Sequence, residues 1–458
     1  IFTESDISNS QIVKQEDFQF SKTDAIGLYD VTNGGFDANL WEGSNLSDIE
    51  YLINLNPINN TSLTLKNLVN KAILTVAAPP NRLNLSSSTY LDLKIDYLIR
   101  SGYYEDVSKL LNLLKGEKIR EAFSDGIIDY LLIYNQHKKI CSDNANLISP
   151  QLIDLYFKSF CNAMSANKLT LDLNISLMRE EGRYNEEYLD LLSKIIYNDK
   201  IQIENLQDVN LINLSILQKY NIDINNYITD NSPIKNKLYY FLNYKKNSLK
   251  KISVAEELVL KGLIDHNKLA ETYQSFESRS NDNLETDDLA LIERIKIFND
   301  LRKTSSQSQI VNKIPEFVDL FSMHGLLKAS SLMIYDKVRI ISPKLDYIAQ
   351  SPDICLILIL NNDSEKCNEW VNKLNFSSNQ DELSKVKFYL SLANGDSLNE
   401  LYLNQLINDP NLSVRQKNII VKFSELKSNS KNINYWKTPN DLNKVSSITA
   451  NIKLHNYY

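Results

Sequence analysis

Apolar residues recur at the spacing of an α-helix along most of the chain. Between Tyr90 and Ser101 they fall at Leu91, Ile95 and Leu98, which places them on one face of a helix. Gly102 interrupts this pattern, and the same period resumes after it at Val107, Leu110, Leu111 and Leu114. Because glycine commonly ends helices, the pattern predicts two helices that pack as an antiparallel hairpin.

Comparable units recur further along the chain. Each one has an apolar helix, a glycine near its end, a few polar residues and a second apolar helix. These glycines are Gly182, Gly262, Gly325 and Gly395. The first three turns, at Gly102, Gly182 and Gly262, are evenly spaced, at an interval that equals two repeats of roughly 40 residues, although the later turns at Gly325 and Gly395 do not keep this interval. The sequence therefore predicts an all-α protein, an α-solenoid of antiparallel helical hairpins with degenerate tetratricopeptide-like repeats.

Helix start signals agree with this prediction, and signals for β-strands are lacking. Four Ser-Pro pairs, at 149–150, 232–233, 342–343 and 351–352, suit an N-cap followed by the first helical position. The motif "SDIE" from Ser47 has the spacing of a capping box and predicts a helix up to Leu55. A second helix is expected from Leu63 to Ile73. No run alternates apolar and polar residues over eight positions.

The same patterns predict the order of segments along the chain. The polar stretch "RKTSSQSQ", at 302–309, is the expected break between two halves. We expect an extended or disordered lead-in at 1–28, an N-terminal cap with the first helices at 29–85, a helical-repeat array at 86–301, a second helical-repeat segment at 310–427 and a weakly ordered tail at 428–458.

Composition narrows the class of protein. The 458 residues include only 11 glycines and 10 prolines, too few for the many tight turns of a doubly wound α/β or β-sandwich fold. The net charge is −7, and the densest basic cluster, "LNYKKNSLKK", is short. Nucleic acid is therefore not an expected partner.

The longest apolar run, "CLILIL" from Cys355, is far shorter than a membrane helix requires, so no transmembrane segment is expected. Because the chain begins at Ile1 rather than Met, we expect that an upstream segment has been removed.

The stretch "DVTNGGFDANLWEGS", from Asp30, concentrates glycines in a chain that has few of them. A phosphate-binding loop would follow an apolar strand and end in Lys-Ser or Lys-Thr, and this stretch has neither feature. The alternative is an N-terminal cap, in which Gly34 and Gly35 turn the chain so that Phe36 and Trp41 cover the first hairpin. We adopt this interpretation because the first unit of a repeat array has no neighbour on its outer face.

The four cysteines contain no C-x-x-C motif, which argues against a zinc ribbon or a thioredoxin-type site. A disulfide between Cys141 and Cys161 is possible, since a loop between them can adjust. A bond between Cys355 and Cys367 is less favoured because axes of packed helices are usually 8 to 10 Å apart. The alternative is that all four thiols are reduced and buried.

Residues with catalytic or metal-binding chemistry do not converge in the sequence. The four histidines are widely separated, and neither an HExxH nor a G-x-S-x-G motif is present. In "MREEG", at 178–182, neighbouring carboxylates would point about 100° apart on a helix, so a solvated helix end is expected. We therefore assign no catalytic, cofactor-binding or metal-binding residue and expect no cofactor.

Several segments of the chain resemble a group of uncharacterised alphaproteobacterial proteins built from helical repeats. The segments that carry the resemblance are "GGFDANLWEGSNLSDIEYLI", "ILTVAAPPN", "FCNAMSANKLTLDLNISLMREEG", "AEELVLKGLIDHNKLAETY" and "LILNNDSEKCNEWVNKL". The chain differs from those proteins in being rich in Asn and Ile where they are rich in Ala. The resemblance implies an exported helical-repeat protein and adds no catalytic residue.

Together these observations favour a non-enzymatic helical-repeat scaffold that binds another protein, in the periplasm or otherwise exported. A cytoplasmic location is the alternative. Two other functions stay open: a solenoid-supported hydrolase or lytic enzyme with a site of scattered carboxylates, and a structural spacer. The hydrolase would need a deep pocket with two or more carboxylates of raised pKa.

Overall fold

A computed structural model describes residues 24–55, 63–81, 89–113, 124–142, 154–182, 184–197, 209–276, 286–375 and 380–394. Within these ranges the protein is helical and contains no β-strand, which confirms the predicted all-α class. The helices are α1 (Leu46–Leu55), α2 (Leu63–Ile73), α3 (Tyr90–Ser101), α4 (Tyr104–Leu113), α5 (Ser124–Ile133), α6 (His137–Ile140), α7 (Leu155–Met164), α8 (Lys168–Glu181), α9 (Glu186–Tyr197), α10 (Leu211–Lys219), α11 (Ile234–Asn243), α12 (Leu249–Leu260), α13 (His266–Gln274), α14 (Thr286–Lys303), α15 (Gln307–Met323), α16 (Leu327–Arg339), α17 (Ser351–Leu360), α18 (Ser364–Leu374) and α19 (Gln380–Asn394).

The chain divides into two compact units, with the boundary between Ile292 and Glu293. This boundary lies inside α14, whereas the polar stretch at 302–309 begins at the end of that helix. The predicted lead-in before residue 24, the turn at Gly395 and the tail at 428–458 lie outside the described residues.

In the first unit, helices that follow one another in sequence pack together. The consecutive pairs in contact include α3 with α4, α4 with α5, α7 with α8, α8 with α9, α11 with α12 and α12 with α13. Helix α5 also contacts α10 and α11, and α7 contacts α10. The core of this unit is therefore built both from neighbouring helices and from helices that are distant in sequence.

Left-handed backbone turns separate many of the helices. Gly102 has φ +81° at the end of α3, and its N–H donates to the carbonyls of the last helical turn. Gly182, Gly262 and Gly325 also have positive φ, as the predicted turns require. Among the residues that the structure describes, four turns place a larger residue in this conformation: Asn135, Ala166, Asn221 and Asn362.

Four predicted helix starts are wrong in detail. Helix α11 begins at Ile234, so Pro233 rather than Ser232 precedes it, and at the pair 342–343 no helix begins, since a short 3₁₀-helix starts only at Leu345.

Helix α1 begins at Leu46, so Ser47 lies inside it and cannot be its N-cap. Helix α17 begins at Ser351, with Pro352 in its first turn, so the serine is the first helical residue rather than the cap. The polar residue before α1 is Asn45, two positions before the predicted cap, and the one before α17 is Gln350, one position before it, shifts typical of boundaries read from sequence. The pair at 149–150 lies outside the described residues.

In the second unit, helices α15 to α19 surround a core that includes the fully buried side chains of Phe317, Phe321 and Trp370. Helix α17 contacts α15, α16, α18 and α19 and is therefore its central helix. Cys355 on α17 and Cys367 on α18 face one another as buried, unbonded thiols. The Sγ atom of Cys355 lies 4.0 Å from the carbonyl oxygen of Cys367.

Candidate functional site

A cleft of about 450 Å³ opens in the first unit where four helices end or begin. Its walls come from the start of α6 and from the C-terminal ends of α7, α10 and α11, together with the turns that follow α10 and α11. The lining residues are Asn135, His137, Met164, Ser215, Gln218, Lys219, Asn221, Ile222, Asp223, Ile224, Tyr239, Asn243, Tyr244, Lys245 and Lys246.

Hydrogen bonds from side-chain amides hold these helix ends together. Gln218 on α10 donates through Nε2 to the carbonyl of Asn243 at 2.6 Å, and its Oε1 accepts from the Tyr239 hydroxyl at 2.5 Å. The Nδ2 of Asn243 donates to the carbonyl of Ile133, at the end of α5, at 2.9 Å. The cleft floor is thus fixed by groups whose hydrogen bonds are already made within the protein.

Two further links join α7 to its neighbours. The hydroxyl of Tyr220, just after α10, donates to the carbonyl of Ala163 on α7 at 2.8 Å. Cys141, at the end of α6, forms a disulfide with Cys161 on α7, with a Cα–Cα distance of 5.4 Å. Because Met164 follows Cys161 by one helical turn, this disulfide lies beside the cleft wall.

Asp223 contributes the only carboxylate among the residues that line the cleft. Its carboxylate accepts from the Tyr244 hydroxyl at 2.9 Å, from Lys246 Nζ at 3.0 Å and from the Asn225 backbone N–H at 3.0 Å. Partial burial opposes ionisation, but these hydrogen bonds outweigh it and hold the pKa of Asp223 below its usual range. The carboxylate is therefore ionised and already paired.

Positive charge dominates the rest of the cleft. Lys219, Lys245 and Lys246 line it, together with the half-buried ring of His137. Burial, and then the nearby Lys138 and Lys219, lower the pKa of His137, whose Nδ1 lies 3.0 Å from the Asn135 side-chain oxygen. Only the first two lysines of the basic cluster "LNYKKNSLKK" line the cleft. The other two, Lys250 and Lys251, donate hydrogen bonds to the backbone carbonyls of Asn225 and Tyr244, respectively.

The glycine-rich stretch forms irregular structure over the ends of α2 and α3. Gly34 has φ +90°, and a Cβ on Gly35 would lie 2.8 Å from the Asp30 nitrogen, so both turns favour glycine. The Phe36 N–H donates to the Thr75 hydroxyl at 3.1 Å. The Trp41 ring meets Tyr90, the first residue of α3. These residues thus contact the segment after α2 and the start of α3, and their role as a cap on the first hairpin stays a prediction.

A buried lysine joins this N-terminal stretch to α3. Lys94 has no solvent exposure, and its Nζ donates to the carbonyls of Asp24 at 3.3 Å and Ile26 at 2.5 Å. The same Nζ lies 4.4 Å from the centre of the Tyr90 ring. Desolvation, only partly offset by Asp24, lowers the pKa of Lys94 to about 8. The periodicity of α3 places Lys94 on the same face as Leu91 and Leu98, but it gave no sign of which groups the lysine contacts.

Helix α8 carries a row of exposed leucines. Leu169, Leu173 and Leu177 are 88%, 59% and 38% exposed, and their spacing of four residues places them on one face. The opposite face of α8 packs into the core through Leu171, Ile175 and Met178. We call the three exposed residues the leucine stripe. The carboxylates of "MREEG" follow it at the exposed helix end, as predicted.

In the second unit, three carboxylates lie near one another on three helices. Burial and then the charges of Asp319 and Glu382 raise the pKa of Asp353 to about 6, against a smaller opposing effect of Lys385. Tyr389 shares this environment, and burial followed by Asp353 and Glu382 raises the pKa of its hydroxyl. The sequence contained no spacing that would have grouped these residues, since they come from α15, α17 and α19.

The described part of the chain contains no group of three or more His, Cys, Asp or Glu side chains that could hold a metal ion. Within the same residues, no helix combines the length and the apolar character needed to cross a bilayer. Comparison of the chain with protein-family models, curated proteins and solved structures finds no match.

Proposed function

We propose that this protein is a non-enzymatic scaffold of tetratricopeptide-like helical hairpins, which binds another protein through the leucine stripe on α8. The observation that carries the proposal is the exposure of three leucines on one face of a helix whose opposite face is buried. Isolated exposed leucines are common on protein surfaces, but an aligned row on one helix is typical of a binding surface. A structural spacer would not require such a row.

The residues beside the leucine stripe define the chemistry of the partner. Asp172, Ser176 and Glu180 each follow a leucine of the stripe by three positions, so they lie along one side of it, and all three are exposed. A partner that covers the leucine stripe must supply apolar side chains to contact the leucines, and Lys or Arg beside them to pair with Asp172 and Glu180. The expected partner segment is therefore a basic amphipathic helix.

The disulfide supports the second part of the proposal, which places the protein in the periplasm or another exported location. Structural disulfides persist in oxidising compartments and are rare in the cytoplasm. Alkylation of the protein after denaturation, with and without prior reduction, followed by mass spectrometry, tests this placement, because denaturation exposes the buried thiols of Cys355 and Cys367. Two alkylated thiols without reduction and four after it are expected. Four alkylated thiols in denatured, unreduced protein from the source organism would instead indicate a cytoplasmic location.

The alternative hydrolase has one observation in its favour, the raised pKa of Asp353. Such an enzyme would need a second carboxylate of raised pKa in a shared pocket. The cleft in the first unit supplies one carboxylate, and hydrogen bonds lower the pKa of that group. We therefore prefer the scaffold.

Photo-crosslinking from the leucine stripe tests the scaffold proposal directly. A photoreactive amino acid replaces Leu173 and captures the bound partner in cells of the source organism. The captured protein is expected to contain a basic amphipathic helix at the crosslinked position. Capture should be lost when Leu169→Gln and Leu177→Gln are added, because both side chains are exposed and their replacement leaves the core intact.

The matched control replaces exposed apolar residues elsewhere, with Met323→Gln and Leu332→Gln, which are 79% and 39% exposed in the wild type. Capture should survive this control. Equal capture by the stripe variant and the control would refute the leucine stripe as the binding surface. Capture of a partner without a basic helix would refute its proposed chemistry.

A further inference from the structure

We propose that the cleft in the first unit is a binding site for a small multivalent anion, a molecule with two or more carboxylate or phosphate groups. The cleft is separate from the leucine stripe, so this inference does not depend on the scaffold function. It rests on the excess of unpaired positive groups over a rigid polar floor.

The charges in the cleft do not balance. Lys246 pairs with Asp223, with 3.0 Å between Nζ and Oδ2. Lys219 and Lys245 line the same cleft, and neither forms an ion pair with a carboxylate in the described residues. Two lysines without a carboxylate partner in the described residues therefore line one small volume, where their flexible side chains could both donate charge-assisted hydrogen bonds to a multivalent anion.

The surroundings of the two lysines suit a small polar ligand. The burial of His137 and its proximity to Lys138 and Lys219 are consistent with a positive local potential. Asn135 and Asn221, which line the cleft at its exposed edge, present amides that can bond to the polar body of a ligand. A volume of about 450 Å³ lies within the range of small-molecule sites.

Little of the binding free energy would be spent on reorganising the cleft, because its walls are already ordered. Gln218, Asn243 and Tyr239 already hold one another and the end of α5 through hydrogen bonds. The disulfide fixes α6 against α7 on the opposite wall. Only the long lysine side chains must become ordered when a ligand binds, which favours specific binding over a diffuse ion atmosphere.

The four histidines make the test specific, because His137 is the one that lines the cleft. The imidazole signals of the full-length protein are followed by NMR at fixed pH and ionic strength during titration with citrate, pyrophosphate or acetate. Citrate and pyrophosphate should shift the His137 signal in a saturable manner and leave the other three in place. Acetate should have little effect. The tighter of the two multivalent probes identifies the class of anionic group.

The variant Lys219→Gln/Lys245→Gln should weaken binding by at least about tenfold, since it removes both unpaired charges. Lys158→Gln/Lys268→Gln changes the net charge by the same amount at exposed positions outside the cleft and should bind as the wild type does. A shift of all four histidines, an equal effect of acetate, the lack of any shift or equal weakening by both double variants would each overturn the proposal.

Discussion

The rings of Trp41 and Tyr90 meet edge to face, with centroids 6.0 Å apart and an interplanar angle of 73°. Trp41 belongs to the glycine-rich stretch, and Tyr90 is the buried first residue of α3. One aromatic contact therefore joins the irregular N-terminal segment to the first regular helices, and the interaction adds to the apolar area that both rings bury.

Trp41→Ala should lower the free energy of unfolding by about 2 kcal/mol, because it removes a half-buried aromatic ring and leaves part of Tyr90 uncovered. Chemical denaturation followed by circular dichroism measures this change. Tyr51→Ala is the control, since Tyr51 is an exposed aromatic residue on α1. Crosslinking from the leucine stripe should be unchanged in both variants. Lost capture with unchanged stability would show that Trp41 is a binding residue instead of a cap.

Lys94 should make stability increase with pH in a defined window. Its pKa is about 8 in the folded protein and close to 10.4 in an unfolded chain, so between these values the unfolded state binds more protons. The contribution of this group to stability rises from pH 8 by at most about 1.4 kcal/mol per pH unit.

The measurement compares the wild type with Lys94→Met, which cannot titrate at this position. The free energy of unfolding of the wild type minus that of the variant should increase between pH 7.5 and pH 9.5. Comparing two proteins removes the contribution of tyrosines, which is common to both. A difference that stays constant over this range would show that Lys94 titrates normally.

Asp353→Asn should stabilise the second unit at pH 7.5 by about 1 kcal/mol, less than the pKa shift alone implies because the carboxylate is partly exposed to solvent. The raised pKa of about 6 means that the folded protein disfavours the charged carboxylate, so its stability falls as pH rises from about 4 to 6. The asparagine avoids this cost. Fluorescence of the buried Trp370, recorded in a background in which Trp41 and Trp436 are replaced by Phe, reports unfolding of this unit.

At pH 4 the advantage of Asp353→Asn should disappear, because the aspartic acid is then largely neutral in the folded state. Asp346→Asn provides the comparison, since Asp346 is an exposed carboxylate of the same unit. If both substitutions stabilise equally at pH 7.5, general charge repulsion rather than burial of Asp353 is the cause.

The left-handed turn at Ala166 predicts a second stabilising substitution. Ala166 has φ +57° between α7 and α8, a conformation that costs a residue with a Cβ roughly 1 kcal/mol. Ala166→Gly should therefore raise stability by up to about that amount. Ala163→Gly, inside α7, should lower it because glycine disfavours a helix interior. Thermal unfolding of the two variants distinguishes these effects, and a loss of stability at both positions would contradict the backbone argument.

The sequence predicted those parts of the fold that depend on neighbouring residues. The bounds of α2 and the glycine turns after α3 and α8 follow from helical periodicity and from the conformational freedom of glycine. Asn135 and Asn221 make equivalent turns, but asparagine is common in this chain, so neither stood out. The turn at Gly395 remains a prediction.

The cleft could not be predicted in the same way. It depends on Gln218 reaching Asn243, and on Asn243 reaching Ile133 across 110 positions of sequence. These hydrogen bonds from side-chain amides form only when the folded chain brings the two groups together. They therefore leave no periodic pattern in the sequence. The leucine stripe could not be predicted for another reason. Apolar residues occupy both faces of α8, a pattern typical of a fully buried helix, and only the packing of the folded protein shows which face is exposed.

The disulfide between Cys141 and Cys161 also changes the covalent topology of the chain, because it closes the intervening residues into a ring. A protease that cuts once inside this ring produces two polypeptides that remain a single molecule. Such a product would migrate as intact protein on a non-reducing gel and separate into two fragments only after reduction. A nicked population could thus pass unnoticed through purification and keep α6 attached to α7.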